Sequence, residues 1–301
     1  MIGNALFGVA GNPPNFWQSK FSGNRANAPE WLHSIGLDAL EIQCGYGVRM
    51  SDAQAEAFRL NSRKYKIKLS IHAPYYISLG NRDGVVSKNS LNELKKSVEL
   101  AQKIGSDRVI FHLGSTLGNR EEAKKQAIKT LMRLEEEVKM KGVRLYPEIA
   151  GKVNQLGSLD EIISICKSVP YAFPCIDLAH LHARTMGTLM TRKDFDQVID
   201  EIEKKLGDEA IKNLHIHLYP VEWGGKGELR HKAFADKIEK TQQVSLFTTA
   251  AHNQGIYYPR YEPFIDLIVQ RKISPVIICE AKDSQDVGAL EMKSYYNVLL
   301  A

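Results

Sequence analysis

Asp177, His180 and His182 fall together in the stretch CIDLAHLHAR, beside Cys175, Ile176 and Leu178, which favour burial. Buried charge is costly unless it is paired or bound to a cation, so the combination points to metal chemistry. It recurs along the chain. LSIHAPYY supplies His72, VIFHLGS supplies His112, and RLYPEIAG supplies Glu148. NLHIHLYP supplies His215 and His217, GELRH supplies Glu228 and His231, and VIICEAK supplies Glu280. A lone histidine in a strand is usually a hydrogen-bonded core residue. Convergence of most of the nine histidines on the ends of successive apolar runs is what argues for a site. Imidazole and carboxylate together suit zinc, with manganese or iron as alternatives, and the absence of cysteine ligands disfavours a structural zinc site. An open catalytic site takes about three or four protein ligands per metal, so this many donors imply two or three ions.

The elements that must carry these residues follow from hydrophobic periodicity. Strands are expected near 6–11, 38–44, 67–73, 108–113, 143–149, 172–178, 212–218 and 275–280. Amphipathic helices are expected near 27–35, 51–64, 87–104, 120–141, 158–168, 192–206, 260–271 and 286–298. Gly36, Gly105 and Gly142 fall just after helices, where C-terminal caps belong. Eight alternating strand–helix units predict a (β/α)8 TIM barrel forming one domain over residues 1–301. No GxGxxG or GxxxxGK follows an early strand, against a doubly wound nucleotide-binding sheet. In such a barrel the active site lies at the C-terminal ends of the strands, where the histidines and carboxylates converge. The long connection at 219–259 is expected to be functional.

Composition narrows the setting. The four cysteines are scattered without a CxxC pair and read as small buried residues in a reducing compartment. No apolar run is long enough to span a bilayer, and the first residues lack a basic segment followed by an apolar core, so the cytoplasm is expected. The net charge of +5 permits an anionic partner such as nucleic acid without demonstrating one. No obligate protein partner is evident in the sequence.

The motifs IHAPYYISL, FHLGS, PEIAGKVNQLGSLDE, CIDLAHLHAR, HIHLYPVEWGGKGELRH and IICEAK, in that order, resemble endonuclease IV, a family of metal-dependent apurinic/apyrimidinic (AP) endonucleases. The wording is most similar to an archaeal-type branch of that family, and the resemblance covers nearly the whole chain. It implies a trinuclear zinc site with Glu148 and Glu280 as catalytic carboxylates. His72 and His112 would share one metal with bridging Glu148. Glu148, Asp177, His217 and Glu280 would hold the second, and His180, His231 and the acidic neighbour Glu228 the third. The implied reaction is hydrolysis of the phosphodiester 5′ to an abasic site in double-stranded DNA. It would leave a 3′-hydroxyl and a 5′-deoxyribose phosphate. Tyr75 matches the family's inserting aromatic, and Arg49 in CGYGVRMS is the one candidate for the DNA-probing loop.

Four details depart from the pattern or leave a choice. The family's Asp-x-His pair is replaced by Glu228 and His231 in a Glu-x-x-His spacing, and the pair after Glu280 is Ala-Lys. His215 and His217 share one side of a strand, with His217 nearer the C-terminal end and the better ligand. His182 is assigned a supporting hydrogen-bonding place. The alternative function is a metal-dependent sugar isomerase or epimerase of the same barrel superfamily, and a further one a barrel that binds damaged nucleic acid without cutting it.

Overall fold

The computed structural model describes residues 4–234, 236 and 257–301. The strands are β1 (Leu6–Ala10), β2 (Ala39–Gln43), β3 (Lys68–His72), β4 (Arg108–Phe111), β5 (Arg144–Pro147), β6 (Cys175–Asp177), β7 (His215–His217), β8 (Val221–Gly224), β9 (Gly227–His231) and β10 (Val276–Cys279). The helices are α1 (Pro14–Trp17), α2 (Ala28–Ser34), α3 (Asp52–Tyr65), α4 (Gly84–Ile104), α5 (Arg120–Met132), α6 (Glu135–Lys141), α7 (Leu159–Ser168), α8 (Leu178–Arg184), α9 (Arg192–Leu206), α10 (Asp208–Lys212), α11 (Glu262–Arg271) and α12 (Gln285–Leu300). Eight strands form one parallel sheet in the order β5-β4-β3-β2-β1-β10-β7-β6. Pairings of Leu145 with Ala172 and of Glu148 with Cys175 bring the two ends of the sheet together. The result is the expected TIM barrel, and all eight expected strands form inside the predicted ranges.

Strand alternation sorts the side chains. Phe7, Val9, Leu40, Ile42, Val109, Phe111 and Ile216 join the buried layer between sheet and helices. Ala39, Ile278, Ile110, Tyr146 and Cys175 belong to smaller buried clusters apart from that layer. The helices start at recognisable caps. Ser51 accepts the Gln54 N–H, Asp83 accepts those of Val85 and Val86, and Ser158 and Glu161 form a reciprocal capping box.

Two expectations change. The helix expected over 120–141 is two helices, because Leu134 leaves helical geometry at the start of α6 and is fully buried. The strand expected at 172–178 is confined to Cys175–Asp177, and the rest of CIDLAHLHAR continues as a helix that was not expected. The Asp177 side chain accepts the His180 N–H at 2.6 Å and caps α8. Leu, Ala and Arg are good helix formers, and Asp is among the best N-caps, so the chain turns into a helix there. The connection at 219–259 opens with the β8–β9 hairpin, and its residues 235 and 237–256 lie outside the described residues. Among the described residues no helix is long and apolar enough to cross a membrane.

Candidate metal centre

The ends of the strands bring His72, His112, Glu148, Asp177, His180, His217, Glu228, His231 and Glu280 together. Among the described residues five sets have donor atoms within 4.8 Å of one another, and three of them, His72–His112–Glu148, Glu148–Asp177–His217 and His180–Glu228–His231, are built wholly from the expected ligands; the others are Glu41–His217–Glu280 and Cys175–His215–His217. Glu148 joins the first two. Its Oε2 lies 3.0 Å from His72 Nε2 and 3.4 Å from His112 Nδ1, while Oε1 lies 3.1 Å from His217 Nδ1. His217 Nδ1 also faces Asp177 at 3.6 Å and Glu280 at 3.8 Å. His180 Nε2 is 3.1 Å from Glu228, whose other oxygen is 3.3 Å from His231 Nε2.

The second nitrogen of three of these rings is accounted for. Nδ1 of His72 lies 2.9 Å from Ala73 O, that of His180 2.9 Å from Ile149 O, and that of His231 3.0 Å from Glu280 O. A carbonyl can only accept, so each Nδ1 donates to it and leaves Nε2 facing a carboxylate, where a metal would take its lone pair. This is how metal-ligating histidines are held. His112 Nδ1 is buried without a hydrogen-bond partner and aims at Glu148. A buried nitrogen left unbonded costs free energy, and a cation between it and the carboxylate would remove that cost. The residues present therefore fit divalent metal ions.

The electrostatics are compatible with cation binding. Burial opposes ionisation of Glu148, yet the surrounding His112, His217 and His180 hold its carboxyl well below the usual range. Burial alone would depress His72, but the hydrogen bond to Glu148 and its charge override this and push His72 up to about 9. His112, dominated by burial, falls to about 4. Metal must displace the His72 proton, so uptake by the metal-free protein is expected to release protons. Affinity should rise with pH until about 9, by up to about tenfold per unit for each proton displaced. Calorimetry in buffers of different ionisation enthalpy measures this, and uptake without proton release at pH 7 would contradict it.

The Glu-x-x-His spacing works because of a β-bulge. In the hairpin, Val221 pairs with His231 and Glu222 with Arg230, but Trp223 pairs with Glu228 and Gly224 with Gly227. One residue of β9 is thus extra. Leu229, 62% exposed, and Arg230 both face solvent, and Glu228 and His231 both turn inward. In a regular strand, positions three apart face opposite ways; the bulge restores one face. The hairpin is clamped to the loop after β5 by Glu228 N–H on Gly151 O at 3.1 Å and Val153 N–H on Lys226 O at 3.2 Å. Gly227, at φ +95°, leaves no space for a side chain: a Cβ would stand 2.1 Å from Gly151 O.

Other residues were not marked by sequence patterns. The Tyr219 hydroxyl donates to Asp177 Oδ2 at 2.9 Å, and its ring stacks on His231 at 4.3 Å. Glu41 is fully buried beneath His217, and Gln43 donates to both Glu41 and Glu280 at 3.3 Å. Both lie in DALEIQC, where carboxylate and amide alternate with apolar residues; read alone, such alternation marks a solvent face rather than a barrel interior. His215 lies one step deeper than His217, against Glu41 at 2.9 Å. His182 packs against Trp223 and Tyr258 and joins none of the ligand sets. Tyr75 stands on the rim, 62% exposed, edge-on to the 77% exposed Tyr46 at 5.8 Å. Arg49 lines a cleft with Arg25, Gln43 and Tyr46. That cleft borders the centre through Gln43.

Comparison with known proteins places these features in a family. The profile of the xylose isomerase-like TIM barrel family matches residues 29–296. An uncharacterized protein of Methanocaldococcus jannaschii is 31% identical over 229 residues, covering 75% of this chain and 80% of that protein. The probable endonuclease 4 of Bacillus subtilis is 29% identical over 178 residues, 56% of this chain and 58% of that relative, so the match spans little more than half its length. Endonuclease IV from Thermus thermophilus superposes with a TM-score of 0.66 at 19% identity, covering 97% of this chain and 99% of that one. The 3-keto-D-glucoside 4-epimerase of E. coli superposes with a TM-score of 0.66 at 11% identity, covering 98% and 100%. At these identities both are likenesses of fold, and they do not separate the two chemistries. With eight parallel strands and a profile match that takes in nearly all of them, the chain belongs to the xylose isomerase-like TIM barrel family.

Proposed function

We propose that this protein is a metal-dependent phosphodiesterase of DNA repair that hydrolyses the phosphodiester 5′ to an abasic site in double-stranded DNA, with zinc as its metal. One observation carries the reading: Glu148, fully buried, lies between two histidine-bearing ligand sets, and a third set stands beside them. Epimerisation of a small sugar needs no more than the set around Glu148, Asp177, His217 and Glu280. The additional imidazoles suit a charged phosphodiester, where attacking and leaving oxygens both carry developing charge. Divalent cations bound here would lower the pKa of water and neutralise that charge.

The chain's own residues supply the rest. Glu148 and Glu280 both turn a carboxylate toward Nδ1 of His217. Tyr219 fixes Asp177 through its hydroxyl and braces His231 by stacking. Arg49 and Arg25 bring positive charge to the cleft beside the centre, where a backbone phosphate is attracted. Tyr75 and Tyr46 offer aromatic faces at the rim, where an unpaired base or the gap left by a missing one can be filled.

The test is cleavage of a duplex with a single tetrahydrofuran abasic analogue, run beside metal analysis of the purified protein. Cleavage 5′ to the analogue is expected, surviving brief exposure to EDTA and lost after prolonged chelation, because buried ions leave slowly. If the protein carries one metal per chain and leaves the duplex whole, the epimerase reading takes its place.

A further inference from the structure

We propose that Glu41 is the positioning residue of His217: its carboxylate takes the Nε2 proton of that imidazole in a hydrogen bond and so turns the Nδ1 lone pair toward the metal centre. This rests on His217 holding a metal, as proposed above, and not on the identity of the substrate.

Glu41 has no exposure to solvent and is surrounded by donors. Its Oε2 accepts from His215 Nε2 at 2.9 Å and Ser70 Oγ at 3.0 Å. Its Oε1 faces Gln43 Nε2 at 3.3 Å and His217 Nε2 at 3.2 Å. A carboxylate has about four lone-pair directions, and here each oxygen faces two donors. The contact to His217 is off the line of an ideal hydrogen bond, and Nε2 has no other hydrogen-bond partner. A small tilt of the ring, such as a ligand on Nδ1 would bring, completes it.

The protons along this column are placed by what each group can do. Arg108 Nη1 can only donate, and it faces His215 Nδ1 at 3.5 Å. His215 Nδ1 is therefore the acceptor and its Nε2 carries the proton given to Glu41. The oxygen of Glu41 facing His217 can only accept, so His217 Nε2 also carries a proton. Its Nδ1 faces Glu148, Asp177 and Glu280 and donates to Glu148 at 3.1 Å in the metal-free protein; a metal would replace that proton and take the Nδ1 lone pair. Gln43 places its amide between Glu41 and Glu280 and keeps the two carboxylates distinct.

Two other clusters of donor atoms give competing accounts: a cation deep among Cys175, His215 and His217, and one held by Glu41 with His217 and Glu280. The Arg108 guanidinium beside His215 opposes the first, and the donors His215, Ser70 and Gln43, which already occupy the Glu41 oxygens, oppose the second.

Long-range proton–nitrogen NMR on zinc-loaded protein with labelled histidine reads the arrangement directly. The expected result is a proton on Nε2 of both His215 and His217, with Nδ1 of His217 metal-bound. Zinc on Nε2 of His217 overturns the proposal, as does a proton on its Nδ1. In chelator competition, Glu41→Gln is expected to weaken zinc held through His217 by about 10–100-fold, the range for partners behind a metal ligand. Ser70→Ala, which removes a donor to Glu41 without touching His217, is expected to bind zinc like the parent protein. Unchanged affinity in Glu41→Gln, or an equal loss in Ser70→Ala, overturns the proposal. If Glu41→Gln does not fold, the NMR result on the parent protein decides. Neither measurement uses DNA, so a failure here is distinct from a failure of the proposed substrate.

Discussion

Glu148→Gln is expected to lower cleavage of the abasic duplex by more than roughly 100-fold, above the range found for partners lying behind a metal ligand. The substitution keeps shape and volume but removes the negative charge and replaces one oxygen with a donor. Whichever oxygen is lost, one set loses its Glu148 donor: Oε2 serves His72 and His112, and Oε1 serves His217. The amide would then point its N–H groups at a protonated ring nitrogen or a cation, which is repulsive where the carboxylate is attractive. Bound metal should fall by at least one ion per chain by elemental analysis. Affinity for the duplex should change less, because Tyr75 and Arg49 lie on the rim rather than at the buried carboxylate. A variant that keeps both its metal content and its cleavage rate would refute the bridging place of Glu148.

Gly227→Ala should have the second-largest effect, and it should be confined to the hairpin. A methyl group there would stand 2.1 Å from the Gly151 carbonyl, and φ +95° is strained for any residue with a Cβ. Overpacking and backbone strain each cost about 1–3 kcal/mol. The cheapest escape is for the hairpin to lift away from the loop after β5, carrying Glu228 and His231 off His180. The expected outcome is loss of one metal, with the His72–His112–Glu148 set still loaded and the barrel's thermal transition little changed. Deleting Leu229 is the informative companion. Glu228 and His231 then stand two apart in a regular strand, still on one face, and metal binding should persist. Loss of metal in the deletion but not in Gly227→Ala would reverse the account of the bulge.

Much of the barrel could be read from the chain itself. Apolar runs of strand length alternating with amphipathic helices fix the number and order of the units, because each pattern buries one face in only one kind of element. The histidines and carboxylates at the run ends were equally legible, since such residues are expensive in apolar runs without a partner. Local signals had limits. Asp177 caps α8 because of the residues that follow it, so a segment read as strand becomes strand, cap and helix. Glu41 could not be told from a solvent-facing residue on an alternating strand until barrel closure put that face inside.

Residue type and short-range periodicity were thus enough to specify the eight units, the strand ends at which donors gather, and the mixed imidazole–carboxylate chemistry they offer. Three features had to wait for the folded chain: Glu148 spans two ligand sets, a bulge at Leu229 turns Glu228 and His231 to one side, and Glu41 lies beneath His217. Each is a contact between residues far apart in the chain, or a register between strands. Such contacts exist only once the sheet has closed and the hairpin has docked on Gly151.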